Sequence, residues 1–182
     1  MASAVVCFMA IWVIFTDLFY RRIHNLLIIG LIVGWCVSLL VSAWSMGSYD
    51  SVIQSALLRD AGFSLLGAVC VLVVGFGLFL VGQMGAGDVK LMSVLCLWVG
   101  YDDQLIFLIV TALVGGMLAL FMPFVTLLEF GGAKLIMQMT KKFPRFNIPP
   151  PIVFSHENVK GLPYGLAISA GAIYTLISPF SY

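Results

Sequence analysis

Long apolar stretches, separated by short polar segments, dominate the sequence. Five of them come close to the ~20 residues that an α-helix needs to cross a bilayer. They lie at about 2 to 20, 26 to 45, 61 to 82, 104 to 128 and 162 to 180. A sixth stretch, 89 to 100, is shorter but too apolar to lie in water. The pattern predicts an all-α membrane protein, a polytopic bundle of six transmembrane helices.

The composition supports a lipid environment. Hydrophobic residues make up 62% and charged residues 9% of the 182 positions, with a mean hydropathy of +1.13. These values exclude an ordinary soluble domain, and the length predicts a single domain over residues 1–182. The N-terminal stretch has neither a basic start nor a small-residue cleavage site, so we expect it to be a retained helix.

Four cysteines, Cys7, Cys36, Cys70 and Cys96, fall singly in apolar stretches. They have no CxxC spacing and no accompanying histidines, so we expect neither disulfides nor a metal site. The net charge of +1 says nothing about an acidic partner, so the positions of the charges matter more than their sum. We therefore expect the lipid bilayer, and not nucleic acid, as the surroundings of this chain.

The positions of the charges orient the predicted helices. With six spans, eight of the nine basic residues fall on one side, in the connections after the first, third and fifth helices. These are Arg21, Arg22, Lys90, Lys134, Lys141, Lys142, Arg145 and Lys160. The opposite side carries Arg59 with Asp50, Asp60, Asp102 and Asp103. The positive-inside rule places the basic side in the cytoplasm and both termini outside it. Five spans would destroy this asymmetry.

The longest connection, at about 129 to 161, changes character midway. Its first part, AKLIMQMTKKF, has the spacing of an amphipathic helix lying on an anionic cytoplasmic leaflet. Its second part, PRFNIPPPIVF, is held in an extended form by its prolines. A cover over a site and a plain connecting loop both remain open.

Two aspartates stand at the cytoplasmic ends of predicted spans. Asp17 lies about one turn before Arg21, and Asp88 lies where the short fourth helix begins. An ionisable group within a span costs roughly 2.5 to 3.5 kcal/mol, so each needs an explanation. Asp17 can pair with Arg21 at i,i+4, and Asp88 can cap the fourth helix. The alternative is that the two carboxylates, at the same face and at similar depth, act together.

Glycines around Asp88 favour the interpretation that the two aspartates act together. Gly82, Gly85 and Gly87 form a segment that can adopt positive φ, approach another chain closely and shift. A G-x-G-D pattern alone is weak, but here it opens a helix at the membrane face. Two carboxylates held close share a proton, so one can accept a proton from water while the other donates one. That is the requirement of aspartyl peptide hydrolysis, which needs no cofactor.

Three segments resemble a known family. MGAGDVKL matches the GxGD signature of the type IV prepilin peptidases, DLFYRRIHN resembles the segment of their first aspartate, and GLPYGLAISAG resembles the start of their last helix. The six-helix plan is also similar. Because the chain lacks a large Cys-rich segment after the first helix, it most resembles the small prepilin peptidases of Flp-type tight-adherence pili.

The resemblance implies an intramembrane aspartyl endopeptidase of the bacterial inner membrane. It would remove the short basic leader of prepilins or pseudopilins at the cytoplasmic face, next to the leader's terminal Gly, in contact with other pilus-assembly proteins. Asp17 and Asp88 carry over as the catalytic pair. His24 stands where the family commonly has Pro, and we assign it no catalytic role. Without the tetracysteine segment, N-methyltransferase activity is not expected.

Further residues are candidates for supporting or substrate-binding roles. Gly85 and Gly87 flank the second aspartate, and Lys90 can neutralise the pair or hold the fourth helix at the headgroups. Pro163 and Gly165 can expose backbone to an extended substrate, or simply start the last helix. Two other function classes remain as alternatives: a proton-coupled transporter and a non-catalytic pilus-assembly subunit.

Overall fold

The computed structural model describes residues 2–20, 24–45, 51–124, 127–128, 131–134, 137 and 164–177. All regular secondary structure in these ranges is helical, which confirms the all-α class. The helices are α1 (Ala2–Tyr20), α2 (Asn25–Ser45), α3 (Ser51–Leu80), α4 (Ala86–Val99), α5 (Gln104–Leu120) and α6 (Tyr164–Ile177). Segments Asn25–Trp44 and Ile53–Leu80 are long and apolar enough to cross a membrane.

Two helix limits differ from those predicted. Helix α3 begins at Ser51 and not at about 61, because hydropathy marks the apolar part of a helix and the preceding polar residues continue the same helix. Helix α5 ends at Leu120, and helical residues recur at 122–124 and 127–128, so the predicted span at about 104 to 128 is interrupted at Phe121. Pro123 explains the break, since proline lacks the N–H that a helix interior requires and disfavours helical geometry before it.

Short helix α4 lies at the centre of the bundle. It contacts α2, α3, α5 and α6, and Leu91, Leu95 and Cys96 on it are almost fully buried. Helix α6 in turn packs between α1 and α5. The remaining helices expose large apolar side chains, with Trp44 89% and Leu120 80% exposed, as expected where lipid is the solvent. The core is thus built around α4 and α6.

Buried hydrogen bonds fasten the C-terminal end of α4. The Gln104 side-chain amide donates to the Ser64 carbonyl oxygen at 2.9 Å and to the Cys96 carbonyl oxygen at 3.0 Å, so it joins α3, α4 and α5. The Trp98 indole N–H donates to the Leu31 carbonyl oxygen at 3.0 Å and joins α4 to α2. Helix α4 is therefore anchored at the end opposite Asp88.

Replacement of this glutamine is expected to weaken the bundle. Gln104→Leu removes both hydrogen bonds from a buried site, at a cost of about 1 to 3 kcal/mol in the free energy of unfolding. Melting in detergent, followed by intrinsic fluorescence, should show a lower melting temperature. The exposed Gln54 of α3 is the matched control, and Gln54→Leu should melt like the unmodified protein. Equal melting of the two variants would contradict this role for Gln104.

Candidate active site

Asp17 is buried near the C-terminal end of α1. Its side chain is only 5% exposed, because α6 packs directly against this part of α1. The contact is made at Gly165: a Cβ atom built there would lie 2.9 Å from Asp17 Oδ2 and 3.0 Å from its Cγ. The absence of a side chain at Gly165 thus lets the α6 backbone lie on the carboxyl group.

Asp88 lies in the first turn of α4, three residues after the N-cap Gly85. Its carboxyl group accepts a hydrogen bond from the Gly85 backbone N–H. This is the returning half of a capping box, so Asp88 does serve the start of the helix, although it is not the N-cap itself. A Cβ atom at Gly85 would lie 2.8 Å from Asp88 Oδ2. Because Gly85 has no side chain, the Asp88 carboxyl group has room to fold back towards the start of the helix.

The two predicted aspartates come within electrostatic range of each other. The charge of Asp17 acts directly on the carboxyl group of Asp88, although the residues belong to different helices. The arrangement follows from the fold: α1 ends and α4 begins at the same end of the bundle, and α6 packs against both. Helix capping explains Asp88 but not its proximity to Asp17. Two neighbouring carboxyl groups can act as a general acid and a general base in the same site.

The backbone conformation of the glycine segment differs between Gly82 and Gly85. Gly82 has φ +76°, the left-handed conformation for which glycine is suited. Gly85 has φ −74° and ψ 144°, so the positive φ expected in this stretch occurs at Gly82 and not at Gly85. Close approach of the Asp88 carboxyl group, and not backbone conformation, requires a glycine there. Gly87 lies in the first turn of α4 and is partly buried.

Of the other predicted site residues, some are exposed in the structure and some lie outside the described residues. Lys90 is exposed on α4, and His24 is exposed immediately before α2. Pro163 and Arg21 lie outside the described residues, so the ion pair considered for Asp17 and Arg21 stays a prediction.

The start of the long connection contributes a contact that the sequence analysis missed. Residues 131–134 are helical and lie against α1: a Cβ atom at Gly132 would be 2.5 Å from Phe19 Cε1 and 2.6 Å from its Cζ. Phe19 follows Asp17 by two positions, and Ala133 is fully buried. The Gly131-Gly132 pair was the available signal, since adjacent glycines often allow close packing. The amphipathic segment therefore begins beside the candidate site.

A separate cavity of about 1100 Å³ lies among α2, α3 and the turn between α4 and α5. Its walls are apolar at Trp35 and Leu57 and acidic at Asp60, Asp102 and Asp103. Neither Asp17 nor Asp88 lines it. The cavity is therefore distinct from the aspartate pair, and its acidic residues are those that the charge distribution predicts on the non-cytoplasmic side.

Comparison with known proteins adds one finding. Residues 4–120 match the model of the type IV leader peptidase family. This range is more than half of the chain and includes both Asp17 and Asp88, together with α2, α3, α4 and α5, whereas α6 lies beyond it. No curated protein and no solved structure matches the chain significantly.

Proposed function

We propose that this chain, which belongs to the type IV leader peptidase family, removes the leader peptide of type IV prepilins by aspartyl hydrolysis, with Asp17 and Asp88 as its catalytic pair. The observation that supports the proposal is that these two carboxyl groups, on different helices and both within the matched range, lie within electrostatic range of each other. Family membership supports the substrate class, because the family is that of the leader peptidases.

The chemistry follows from the pairing. Two neighbouring carboxylates resist being ionised together, so they hold one proton between them. The ionised partner takes a proton from a water molecule, whose oxygen adds to the scissile carbonyl carbon. The protonated partner donates to the carbonyl oxygen, and the C–N bond then breaks as the leaving amine takes up a proton. Oxidation states do not change, and the reaction needs no cofactor.

The substrates within this proposal are Flp-type prepilins and pseudopilins. The short connection between α1 and α2, which contains no Cys-rich segment, supports this subclass. The short basic leader would meet the site at the cytoplasmic face while the following apolar segment lies between the helices. Gly85 and Gly87 would let the Asp88 segment adjust to the peptide.

The membrane arrangement within this proposal has six spans and both termini outside the cytoplasm. Among the described residues, α2 and α3 each contain a segment of spanning length. The apolar exposure of α1 and α5 supports contact with lipid, with Phe8 67% and Leu105 68% exposed. The concentration of basic residues in the connections after α1, α3 and α5 supports the orientation in the bacterial inner membrane.

Cysteine labelling tests this arrangement. In a background without the native cysteines, Ser48→Cys should react with a membrane-impermeant maleimide added from outside, because Ser48 belongs to the connection between α2 and α3. Ser155→Cys should react only after the membrane is permeabilised, because it belongs to the basic connection before α6. The reverse labelling pattern would contradict the six-span orientation.

Processing of a prepilin tests the function itself. The chain is co-expressed with each Flp-type prepilin of its own genome, and the intact mass of the pilin is measured. We expect the mass to fall by that of the leader, with cleavage next to the leader's terminal Gly. The matched control is the same prepilin co-expressed with the Asp88→Asn chain. Prepilins of unchanged mass throughout would reject the proposed substrate.

A further inference from the structure

We propose that Gly165 is a positioning residue for this reaction: by lacking a side chain, it lets α6 lie on the Asp17 carboxyl group and hold it towards Asp88. The inference rests on the proposed function for its catalytic consequence, but its geometry stands on the structure alone. It concerns a helix outside the range that the family model matches.

The contact at Gly165 involves most of the Asp17 side chain. A Cβ atom there would lie 2.9 Å from Oδ2, 3.0 Å from Cγ and 3.2 Å from Cβ of Asp17. Carbon atoms in proteins pack comfortably at about 3.5 to 4.0 Å, so even alanine would require movement. Asp17 is short and 5% exposed, and thus has little room to turn away.

Helix α6 is held from its other side, so it cannot simply retreat. The ring of Tyr164 lies over Gly115 of α5, where a Cβ atom would be 3.0 Å from Tyr164 Cζ and Oη. Further along α6, Gly171 lies against the Thr111 side chain. Ala167 and Ile168 between these contacts are fully buried. A side chain at position 165 would therefore displace the Asp17 carboxyl group relative to Asp88.

The first test is the kinetics of Gly165→Ala on a purified prepilin. Misplacement of a reacting group by about 1 Å can cost about a hundredfold in rate, so we expect a fall of that size in kcat with KM little changed. The pH dependence of kcat should also shift, because the interaction between the two carboxyl groups depends on their separation. A variant with the kcat or the pH profile of the unmodified enzyme would overturn the inference.

Two glycine variants provide matched controls. Gly171→Ala, on the same helix, is even more crowded, but it meets the Thr111 side chain and the Phe107 carbonyl oxygen, so it should lower the melting temperature and leave the pH profile unchanged. Gly116→Ala on α5 has no atom within 4 Å of its new Cβ and should alter neither property. If Gly171→Ala shifted the pH profile as Gly165→Ala does, general mispacking of α6 would replace the specific role of Gly165.

The second test does not require cleavage. Melting temperatures are measured for Gly165→Ala, Asp17→Ala and the double variant. Gly165→Ala should lower the melting temperature of the otherwise unmodified chain, and this loss should shrink by more than half in the Asp17→Ala background, where Oδ2 and Cγ are gone. Equal losses of melting temperature in both backgrounds would show that position 165 does not act through the Asp17 side chain, and would overturn the inference. If the loss does shrink in the Asp17→Ala background but the unmodified chain cleaves no prepilin, the contact between Gly165 and Asp17 stands and only the proposed function is rejected.

Discussion

Asp17→Asn and Asp88→Asn should each abolish prepilin cleavage while the chain stays folded in the membrane. Each change keeps the size of the side chain but removes one half of the proton-sharing pair, so neither water activation nor protonation of the carbonyl oxygen remains complete. We expect the rate to fall by about 10³-fold or more. Cleavage of a purified prepilin, followed by mass spectrometry, measures the loss.

Controls separate catalysis from folding in this experiment. Asp60→Asn removes an exposed carboxylate of α3 that lines the separate cavity, and it should cleave at the rate of the unmodified chain. The double variant Asp17→Asn with Asp88→Asn should be no slower than either single variant, since residues that act as a unit are not additive. Substantial cleavage by either purified single variant would refute the catalytic pair.

Gly75→Val should disturb both the stability of the bundle and the position of Asp88. A Cβ atom at Gly75 of α3 would lie 2.8 Å from Val89 Cγ1 and 3.3 Å from Cγ2, and Val89 directly follows Asp88. Both side chains would then be β-branched and stiff, so the backbone of α4 must move. We expect a loss of about 1 to 3 kcal/mol in the free energy of unfolding, together with slower cleavage.

A neighbouring glycine provides the control for Gly75. Gly77 is on the same helix, but a Cβ atom there meets nothing within 4 Å, so Gly77→Val should keep the stability and the cleavage rate. Combining Gly75→Val with Val89→Ala should recover much of both losses, since the crowded methyl groups are removed. Detergent melting and prepilin cleavage measure the series. Equal behaviour of the Gly75 and Gly77 variants would contradict the close contact between α3 and α4.

The helical class and the candidate aspartates could be predicted from sequence because they depend on local signals. Apolar stretches predict helices wherever lipid is the solvent, and each predicted stretch overlaps a helix of the structure. Where the predicted span at about 104 to 128 is interrupted after Leu120, Pro123 was a local signal that the apolar pattern outweighed. Asp17 and Asp88 stood out because charge is costly inside an apolar stretch, and that cost is visible without a fold.

Contacts between helices could not be predicted in the same way. Only the fold shows that Gly165 meets the Asp17 carboxyl group, that Gly75 meets Val89, and that Gly132 meets Phe19, because these partners are far apart in sequence. An apolar helix in a membrane has no polar face to mark its buried side, so hydropathy does not reveal which glycines face a neighbour. The sequence by itself therefore determined the helices and their exceptional charges, whereas packing decided which charges meet and which glycines make room for them.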